Sequence, residues 1–387
     1  MIQKSIGILA DQIRGVSYKK KNLHDTLDEN SVILLRANNI INGKLDFTDV
    51  LYVDKSVISD TQYLKYGDIL ISASSGSKKV IGKAASFHSQ CKCTFGAFCK
   101  VIRPHKDVRE FLRIYFQSSA YRRQISHLAL GANINNIRNE HIDSLQLEIP
   151  NETARKQIVN KIDLLQKILT KKQQILSDLD ELIKARFVEM FGDPVQNSLN
   201  KPMVKLESLG DWKSGGTPAR SNPNFYDGNI NWFSAGELDS LYLSKSKEKI
   251  TDEAVRKSST KLFAKGSMLI GMYDTAAFKM GILKEPSCAN QACANIRANE
   301  KINVIWLYYE LQAMKKYFLN QRHGVRQKNL TLKMIKQFEI PYFDLSLQNK
   351  FANFVQQVNK SKFENIVYLN KTLSMKILGQ LGDVFRD

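Results

Sequence analysis

The feature that most constrains this fold is a long helical stretch at the centre of the chain, from Thr153 to Glu189. It contains neither proline nor glycine, and its apolar residues recur at alternating steps of three and four, with Lys172 in one polar slot. This spacing is typical of a heptad seam on a helix. The seam consists of Ile158, Ile162, Leu165, Leu169, Leu176, Leu179 and Ile183. Such a helix spans about 55 Å, so we expect it to connect two bodies rather than to lie inside one.

A second proline-free stretch, from Ser346 to Leu381, supplies a partner for the first helix. Its seam consists of Phe351, Val355, Val358, Ile366, Leu369 and Leu373. An Ile-Pro pair precedes each stretch, at Ile149-Pro150 and at Ile340-Pro341. We therefore predict that the two helices pair as an antiparallel coiled coil. The alternative is two unrelated amphipathic helices, each packed on its own core.

Matching residues continue upstream of both helices. The matched pairs are Ile6 and Leu206, Leu9 and Leu209, Gly15 and Gly215, Gly67 and Gly266, Gly82 and Gly281, Tyr115 and Tyr308, and Ile137 and Leu330. Their spacing drifts from 200 to 193 residues by loop-sized amounts. A period of this length indicates a duplicated domain rather than a solenoid.

Each globular stretch mixes short β-branched and aromatic runs, typical of strands, with frequent turn signals and one helical segment, at residues 108–130 and 305–320. We predict an α+β fold in which two globular α+β domains are separated by two long helices, with an internal pseudo-twofold duplication. The predicted boundaries are 1–150 for the first domain, 151–198 for the central helix, 199–341 for the second domain and 342–387 for the C-terminal helix.

The positive charge is concentrated in the globular stretches. Of a net charge of +19, residues 1–150 carry +7 and residues 201–341 carry +9, whereas both helices are nearly neutral. This distribution indicates two bodies that meet a polyanion and a connector that does not. The alternative is a basic protein whose charge serves solubility alone.

Targeting signals and cysteine usage favour a cytoplasmic location. The first fifteen residues lack the apolar core and cleavage site of a signal peptide. No run of eighteen apolar residues is present, so we expect no membrane span. The five cysteines are an odd number and are scattered, which fits a reducing compartment.

The most distinctive motif is the glycine turn from Gly215 to Arg220, with the sequence Gly-Gly-Thr-Pro-Ala-Arg. A proline-fixed backbone, exposed amides and a fork-shaped cation suit contact with phosphates or base edges. Aromatic residues follow at Phe225, Tyr226 and Trp232. The alternative is a structural loop whose aromatic residues cover the core, which we expect for Trp232.

The glycine turn and the residues on either side of it resemble a motif of a known protein family. The run from Leu206 through Leu209-Gly210, the glycine turn and Gly228-x-Ile230-x-Trp232 resembles the opening of a target recognition domain in specificity subunits of type I restriction–modification enzymes. The resemblance covers essentially the whole chain, as two recognition domains alternating with two helical spacers. The first domain departs from the pattern, because Arg14-Gly15-Val16-Ser17-Tyr18 stands where Gly-Gly-Thr-Pro is expected.

Basic and polar residues in both domains are candidates for DNA contact. They are Arg14, Tyr18, Lys19, Lys20, Arg36, Ser74, Lys78, Lys79 and Arg138 in the first domain, and Lys213, Thr217, Arg220, Lys279, Arg322, Arg326, Gln327 and Lys328 in the second. Cationic side chains neutralise phosphates, whereas Gln327 is able to recognise adenine. For any one cation, a solvated surface charge is an equally good interpretation.

Motifs that resemble catalytic or metal sites are incomplete. The run from Gly76 to Ala84 has one residue too many for a phosphate-binding loop, and Ala84 has no hydroxyl for magnesium. Asn222-Pro223-Asn224-Phe225 lacks the second proline of an adenine methyltransferase motif. Cys91, Cys93 and Cys99 lack the remaining ligands of a zinc site. We therefore predict no catalytic residue, no metal and no cofactor in this chain.

The family resemblance implies a DNA-recognition subunit that has no chemistry of its own. Each recognition domain would bind one half of a bipartite, asymmetric site on double-stranded DNA, and the paired helices would fix the spacer between the halves. Two methyltransferase subunits, which bind S-adenosylmethionine, and restriction subunits are the implied partners. The alternatives are an autonomous DNA-modifying enzyme, either an adenine methyltransferase or a nuclease, and a coiled-coil scaffold that binds proteins.

Overall fold

The structure, a computed structural model, describes residues 2–74, 80–130, 136–321 and 329–368. The chain divides into two compact units: unit 1 comprises residues 1–173 and 367–387, and unit 2 comprises residues 174–366. Each unit combines short strands with helices, which confirms the predicted α+β class. The long central helix crosses the boundary and contributes residues to both units.

Unit 1 is built mainly on two four-stranded sheets. Its strands are β1 (Ile2–Ser5), β2 (Ala10–Arg14), β3 (Leu23–His24), β4 (Ser31–Leu35), β5 (Ile40–Ile41), β6 (Lys44–Leu45), β7 (Leu51–Asp54), β8 (Ile69–Ser72), β9 (Ala84–Ser86), β10 (Cys93–Phe95), β11 (Cys99–Pro104) and β12 (Gln146–Ile149). The sheet orders are β2-β11-β8-β9, called the central sheet of this unit, and β10-β4-β7-β3. Neighbouring strands are antiparallel except for β4 and β10. Two antiparallel pairs, β1 with β12 and β5 with β6, complete the unit.

The helices of unit 1 pack on the central sheet. They are α1 (Ile6–Leu9), α2 (Arg109–Tyr115), α3 (Ser119–Leu130), α4 (Asn139–Asp143) and the first part of α5 (Glu152–Phe191), with 3-10 turns at Lys20–Asn22, Ala37–Asn39, Lys55–Val57 and Asp60–Gln62. Phe111, Tyr121 and Ile162 of α2, α3 and α5 are buried in one apolar cluster with residues of β8. The guanidinium of Arg113 also donates to Asp163 of α5 at 2.5 Å. Helix α5 is therefore part of the core of this unit.

The single helix predicted over residues 108–130 is wrong, because the chain leaves the helical path at Ser118. The Ser118 hydroxyl donates to the carbonyl of Tyr115 at 2.6 Å and accepts from the amide of Tyr121 at 3.2 Å. A serine side chain that bonds to nearby backbone competes with helix continuation and caps the next helix. The segment is consequently divided into α2 and α3.

Unit 2 repeats this architecture with its own strands. They are β13 (Met203–Lys205), β14 (Gly210–Ser214), β15 (Ile230–Phe233), β16 (Tyr242–Leu243), β17 (Glu248–Ile250), β18 (Met268–Gly271), β19 (Met280–Leu283), β20 (Cys288–Ala289), β21 (Cys293–Ala298) and β22 (Glu339–Pro341). The order of its central sheet is β14-β21-β18-β19-β16, and a second sheet has the order β17-β15-β20. Strand β13 pairs with β22 in an antiparallel ladder.

The helices of unit 2 include the second part of α5. The others are α6 (Asp252–Arg256), α7 (Val304–Asn320), α8 (Leu332–Gln337) and α9 (Leu345–Tyr368), with 3-10 turns at Leu206–Leu209, Pro223–Phe225, Ala235–Glu237 and Asp274–Ala276. Helix α7 is continuous and agrees with the predicted segment. Among the residues that the structure describes, no helix is long and apolar enough to cross a membrane.

Helices α5 and α9 run antiparallel within unit 2. Near the start of α9, the ring of Phe351 lies 5.4 Å from that of Phe187 and 5.5 Å from that of Phe191. Further along α9, Lys362 forms an ion pair with Asp180, which comes earlier in α5. Because the contacts move backward along α5 as α9 advances, the predicted antiparallel pairing is confirmed in this unit.

The seam residues differ in burial. Ile183, Phe351, Val355 and Val358 are buried in the apolar core of unit 2, and Leu179 is packed against it. In unit 1, Ile162 is buried and Ile158 is packed beside it. Leu165, Leu169 and Leu176 are half-buried, whereas Ile366 is exposed. Leu369 and Leu373 lie outside the described residues.

Corresponding strands have the same order and direction in the two units. The sheet order β2-β11-β8-β9 recurs as β14-β21-β18-β19, and the parallel pair of β4 and β10 recurs as β15 and β20. The antiparallel pair of β1 and β12 likewise recurs as β13 and β22. This agreement confirms the internal duplication.

One cysteine pair departs from the expectation of reduced thiols. Cys91 and Cys93 form a disulfide, with their Cα atoms 5.9 Å apart, a separation that a disulfide spans readily. Cys99, Cys288 and Cys293 are free and buried. Burial raises the pKa of each of these three thiols to about 12, so they act as core residues rather than as reactive groups.

Candidate nucleic-acid interface

The Phe98 turn, residues 96–98 between β10 and β11, lies at one end of the central sheet of unit 1. Its backbone is bonded to neighbouring segments from Gly96 N to Leu35 O at 2.9 Å, from Ala97 N to Val16 O at 3.0 Å, and from Ala73 N and Ser74 N to Phe98 O at 3.0 Å each. The amide of Cys99 closes the turn by donating to the carbonyl of Gly96 at 2.8 Å. These bonds fix the turn, so its side chains are presented by a defined scaffold.

Three predicted DNA-contact residues, Arg14, Ser74 and Arg138, lie around the Phe98 turn. Arg14 pairs across the ladder with Lys100, and the Lys100 ammonium donates to the side chain of Asn139. Arg138 directly precedes Asn139; its side chain is 71% exposed and lies 3.6 Å from the carboxylate of Glu140. Burial lowers the pKa of Lys100, while the nearby carboxylates of Glu140 and Asp143 oppose this shift and the charge of Arg14 adds to it. The sheet end therefore gathers three cations beside the turn, together with the carboxylates of Glu140 and Asp143.

The remaining candidates of unit 1 have varied surroundings. Tyr18 is half-buried beside the Phe98 turn, since a Cβ on Gly96 would lie 3.5 Å from its ring. Lys19 and Lys20 are exposed at a 3-10 turn. Arg36 forms an ion pair with Asp49 at 3.2 Å, so its charge is already partly neutralised. Lys78 and Lys79 lie outside the described residues.

The glycine turn of unit 2 is held by a compact set of bonds around Gly216. The Gly216 amide donates to the carbonyl of Ala289 at 2.9 Å. Its carbonyl accepts from the indole of Trp232 at 3.0 Å and from the hydroxyl of Thr260 at 2.9 Å. A Cβ at position 216 would lie 2.5 Å from the carbonyl oxygen of Ser259. The close approach of these segments therefore requires glycine, and the expectation that Trp232 is a core residue is met by its 3% exposure.

Arg220 is fully engaged by its neighbours in unit 2. Its guanidinium lies 4.4 Å from the ring centre of Tyr226 and 5.0 Å from that of Trp232. Its two terminal nitrogens donate to Glu248 at 2.6 and 2.8 Å, and this hydrogen bonding lowers the pKa of the Glu248 carboxyl. The Tyr226 hydroxyl donates to the carbonyl of Pro218 at 2.6 Å. Arg220 thus fixes the glycine turn, while its side chain stays 55% exposed.

The Gln291 turn, residues 290–292 between β20 and β21, takes the place of the Phe98 turn in unit 2. Three of the bonds that fix the Phe98 turn recur here, from Asn290 N to Phe233 O at 2.9 Å, from Met272 N to Ala292 O at 2.8 Å and from Cys293 N to Asn290 O at 3.1 Å. The predicted contact residue Thr217 lies here, because its hydroxyl donates to the side-chain carbonyl of Gln291. The glycine turn and the Gln291 turn therefore share one sheet end.

The other candidates of unit 2 are more loosely placed. Lys213 is exposed on β14, opposite the buried Asn295. Lys279 is half-buried, and its ammonium donates to the carbonyl of Gly236 at 3.1 Å. The cluster of Arg322, Arg326, Gln327 and Lys328 lies outside the described residues. Within the described ranges, no group of three or more His, Cys, Asp or Glu side chains is arranged to hold a metal ion.

Sequence analysis missed four residues of these surfaces: Phe98, Lys100, Glu248 and Gln291. The repeat contains the signal for two of them. Cys99 and Cys293 match in the duplication, and this match places Gly-Ala-Phe directly over Asn-Gln-Ala. The partnership of Arg220 with Glu248 has no such signal, because it joins residues 28 positions apart through the fold.

Solved structures with the same fold come from type I restriction–modification systems. A chain from one such system matches this protein over its whole length and over 97% of its own, with a TM-score of 0.63 and 14% identity. The S subunit of a type I system from M. genitalium matches with a TM-score of 0.57 and 15% identity, over all of this chain and 96% of its own. At these identities the likeness concerns the fold alone.

Two curated relatives are more similar in sequence. The EcoKI specificity subunit of Escherichia coli K12 is 38% identical over 196 residues, which cover 50% of this chain and 42% of the relative. The StySPI specificity subunit of Salmonella potsdam is 36% identical over 203 residues, which cover 52% of this chain and 44% of the relative. The matched part of this chain thus spans less than half the length of either relative.

The family model of the type I restriction modification DNA specificity domain matches residues 6–180 and again residues 200–374. The chain belongs to this family and contains two copies of its domain. This result confirms the resemblance seen in the glycine turn and in the helical spacers.

Proposed function

We propose that this chain is the sequence-recognition subunit of a type I restriction–modification system. Each unit would bind one half of a bipartite, asymmetric site on double-stranded DNA. The observation that carries this proposal is the repeated sheet end, where corresponding backbone turns are fixed by three corresponding hydrogen bonds but bear different side chains. Such a surface is suited to binding two unlike half-sites with one scaffold.

Charge supports DNA as the ligand. Arg14, Lys100 and Arg138 lie at the sheet end that carries the Phe98 turn in unit 1, and Lys213 is exposed on β14 in unit 2. Cations beside a base-contacting element hold phosphates and set its position on the duplex. The predicted contacts Lys19 and Lys20, exposed in unit 1, would add to this electrostatic attraction.

The long helices would act as a ruler and as a platform. Helix α5 contains 40 residues, which corresponds to about 60 Å, and we propose that its length and that of α9 set the spacer between half-sites. The duplicated helices would bind two methyltransferase subunits, and restriction subunits would join this assembly. Catalysis and S-adenosylmethionine binding would belong to those partners, and the assembly would act in the cytoplasm.

The experiment that tests this proposal is a map of methylated adenines in cells that carry the neighbouring methyltransferase, with and without the full chain. We expect a bipartite methylated motif that depends on the chain. Replacing residues 201–341 by those of a relative should change one half of the motif and leave the other half intact. The matched control is replacement of residues 1–150, which should change only the other half.

Two outcomes would overturn the proposal. Methylation by the isolated chain in the presence of S-adenosylmethionine would indicate an autonomous enzyme. A chain that leaves methylation unchanged and binds no duplex DNA in any complex would indicate a coiled-coil scaffold.

Removing one heptad from both α5 and α9 tests separately whether the helices set the spacer length, because the spacer should shorten while both half-sites stay the same.

A further inference from the structure

Phe98 is a large aromatic residue whose side chain is 72% exposed. Hydrogen bonds fix the backbone around it. The carbonyl of Phe98 accepts from the backbone amides of Ala73 and Ser74, and the amide of Cys99 closes the turn. Its exposure is therefore built into the sheet end and does not arise from a free loop. A single exposed aromatic side chain is common on protein surfaces and does not by itself indicate a ligand. What distinguishes Phe98 is its fixed position at the sheet end and the residues around it.

Folding does not require an aromatic residue at this position. In unit 2, Ala292 takes the place of Phe98 and makes the corresponding bond, with Met272 N donating to its carbonyl at 2.8 Å. The Gln291 turn keeps the same scaffold without a large side chain at its third position. The difference between Phe98 and Ala292 therefore affects the ligand that each turn contacts and not the hydrogen bonds that fix its backbone.

The surroundings of Phe98 contain three cations, one of which, Arg138, is paired with the carboxylate of Glu140 at 3.6 Å. Arg14 and Lys100 lie on the adjoining strands β2 and β11, and Arg138 precedes α4 at the same sheet end. Phosphates held by these cations would bring the base edges of a duplex to the Phe98 ring. The apolar feature that a base pair offers in the major groove is the C5 methyl group of thymine, which phenylalanine is suited to contact.

We infer that Phe98 contacts the methyl group of one thymine in the half-site bound by unit 1 and selects thymine at that position. The inference rests on the proposed function, since it needs unit 1 to bind a DNA half-site. Ala292 cannot reach such a methyl group in the same way, so the half-site bound by unit 2 is recognised through other groups. Phe98 is a specificity-determining residue, and its side chain is not needed for folding.

The test uses the full chain in the complex with which it purifies, and duplexes that carry the mapped bipartite motif. Each thymine of the first half-site is replaced in turn by deoxyuridine, which lacks only the methyl group. We expect one replacement to weaken binding of the wild-type complex about fourfold, the value of one buried methyl group. The same replacement should leave binding of the Phe98→Ala complex unchanged.

Matched variants separate recognition from folding. Tyr66, an aromatic residue of unit 1 that is 58% exposed, precedes β8 and lies at the other end of that strand from Ser74. The Tyr66→Ala complex should keep the full deoxyuridine effect. Phe98→Leu should keep part of the preference for thymine, and both Phe98 variants should unfold at the wild-type temperature because the side chain is exposed.

The results distinguish this inference from the proposed function. If every thymine replacement affects the wild-type and Phe98→Ala complexes equally, the inference is overturned, while a chain-dependent motif would leave the proposed function intact. If the wild-type chain gives no chain-dependent motif, the proposed function fails first. Loss of thymine preference at one position in the Phe98→Ala methylation map, with the second half-site unchanged, would support the inference.

Discussion

The two units of this chain share a backbone and differ in side chains at matched positions. Val16 in unit 1 and Gly216 in unit 2 donate the same backbone bond, at 2.8 Å and 2.9 Å. Val16 is fully buried, whereas Gly216 is covered by the segment at Ser259. The comparison shows that duplication preserved the hydrogen-bonded scaffold while each copy repacked around it. Motifs are therefore transferable between the copies only where the packing partners are the same.

The helices that follow the matched tyrosines show the same divergence. Gln117 stands two residues after Tyr115, and Glu310 stands two residues after Tyr308. Unit 1 breaks its helix here, and Gln117 is exposed. Unit 2 continues α7, and Glu310 is fully buried, without a hydrogen-bond partner for its carboxyl oxygens among the described residues. One copy thus carries a buried carboxyl that the other lacks.

The largest effect that we predict concerns Glu310. Burial raises its pKa from 4.5 to about 8, so the folded state holds the proton more tightly than the unfolded state does. This contribution to stability is complete below pH 4.5 and is lost as the pH rises to about 8. The limit of the loss is about 5 kcal/mol. Thermal unfolding of the full chain between pH 5 and 8.5 should show a decline that Glu310→Gln removes.

The matched control for this prediction lies in unit 1. Gln117→Glu introduces a carboxyl at the corresponding but exposed position, where water solvates the charge. We expect no added pH dependence from this variant. A pH profile of Glu310→Gln that follows the wild type would show that the two positions do not differ in this way.

The second prediction concerns Gly216 of the glycine turn and the corresponding residue of unit 1, Val16. Gly216→Val places a Cβ 2.5 Å from the carbonyl oxygen of Ser259, and overpacking against backbone costs about 3 kcal/mol. Val16→Ala removes two methyl groups from a buried site in unit 1 and costs about 2 kcal/mol. Urea unfolding of each variant gives these values. A stable Gly216→Val variant would contradict the claim that the two copies pack differently around this bond.

The third prediction concerns Arg220, which has a bonded partner that the corresponding Lys20 lacks among the described residues. Arg220→Lys keeps the charge but loses the fork that binds Glu248 and the flat stacking on Tyr226. Because the pair is about half exposed, we expect a loss of about 1 kcal/mol in the free energy of unfolding. Lys20→Ala in unit 1 is the control, and it should leave stability unchanged within the error of urea unfolding.

Periodicity and internal repeats predicted most of the fold. The heptad spacing predicted α5 and its antiparallel pairing with α9, and the matched residues predicted the duplication, because both signals are local or repeated in sequence. The break at Ser118 was missed, since a serine inside an apolar pattern ends a helix only when its hydroxyl finds backbone partners. The burial of Glu310 and the engagement of Arg220 by Glu248 depend on distant segments, which no local pattern contains.

The smallest predicted effect tests whether the cations at the sheet end hold phosphates. Arg14 in unit 1 corresponds to Ser214 in unit 2, so the charge is specific to one copy. If Arg14 neutralises one phosphate, Arg14→Ala should reduce the slope of log affinity against log salt by about 0.9 and weaken binding to all sequences alike. Fluorescence anisotropy of the purified complex on a labelled duplex, at several salt concentrations, measures this slope. The control Ser214→Ala should not change this slope. An altered base preference in Arg14→Ala would instead show that Arg14 contacts a base. The centre of recognition in unit 1 would then lie at the end of β2 rather than at Phe98.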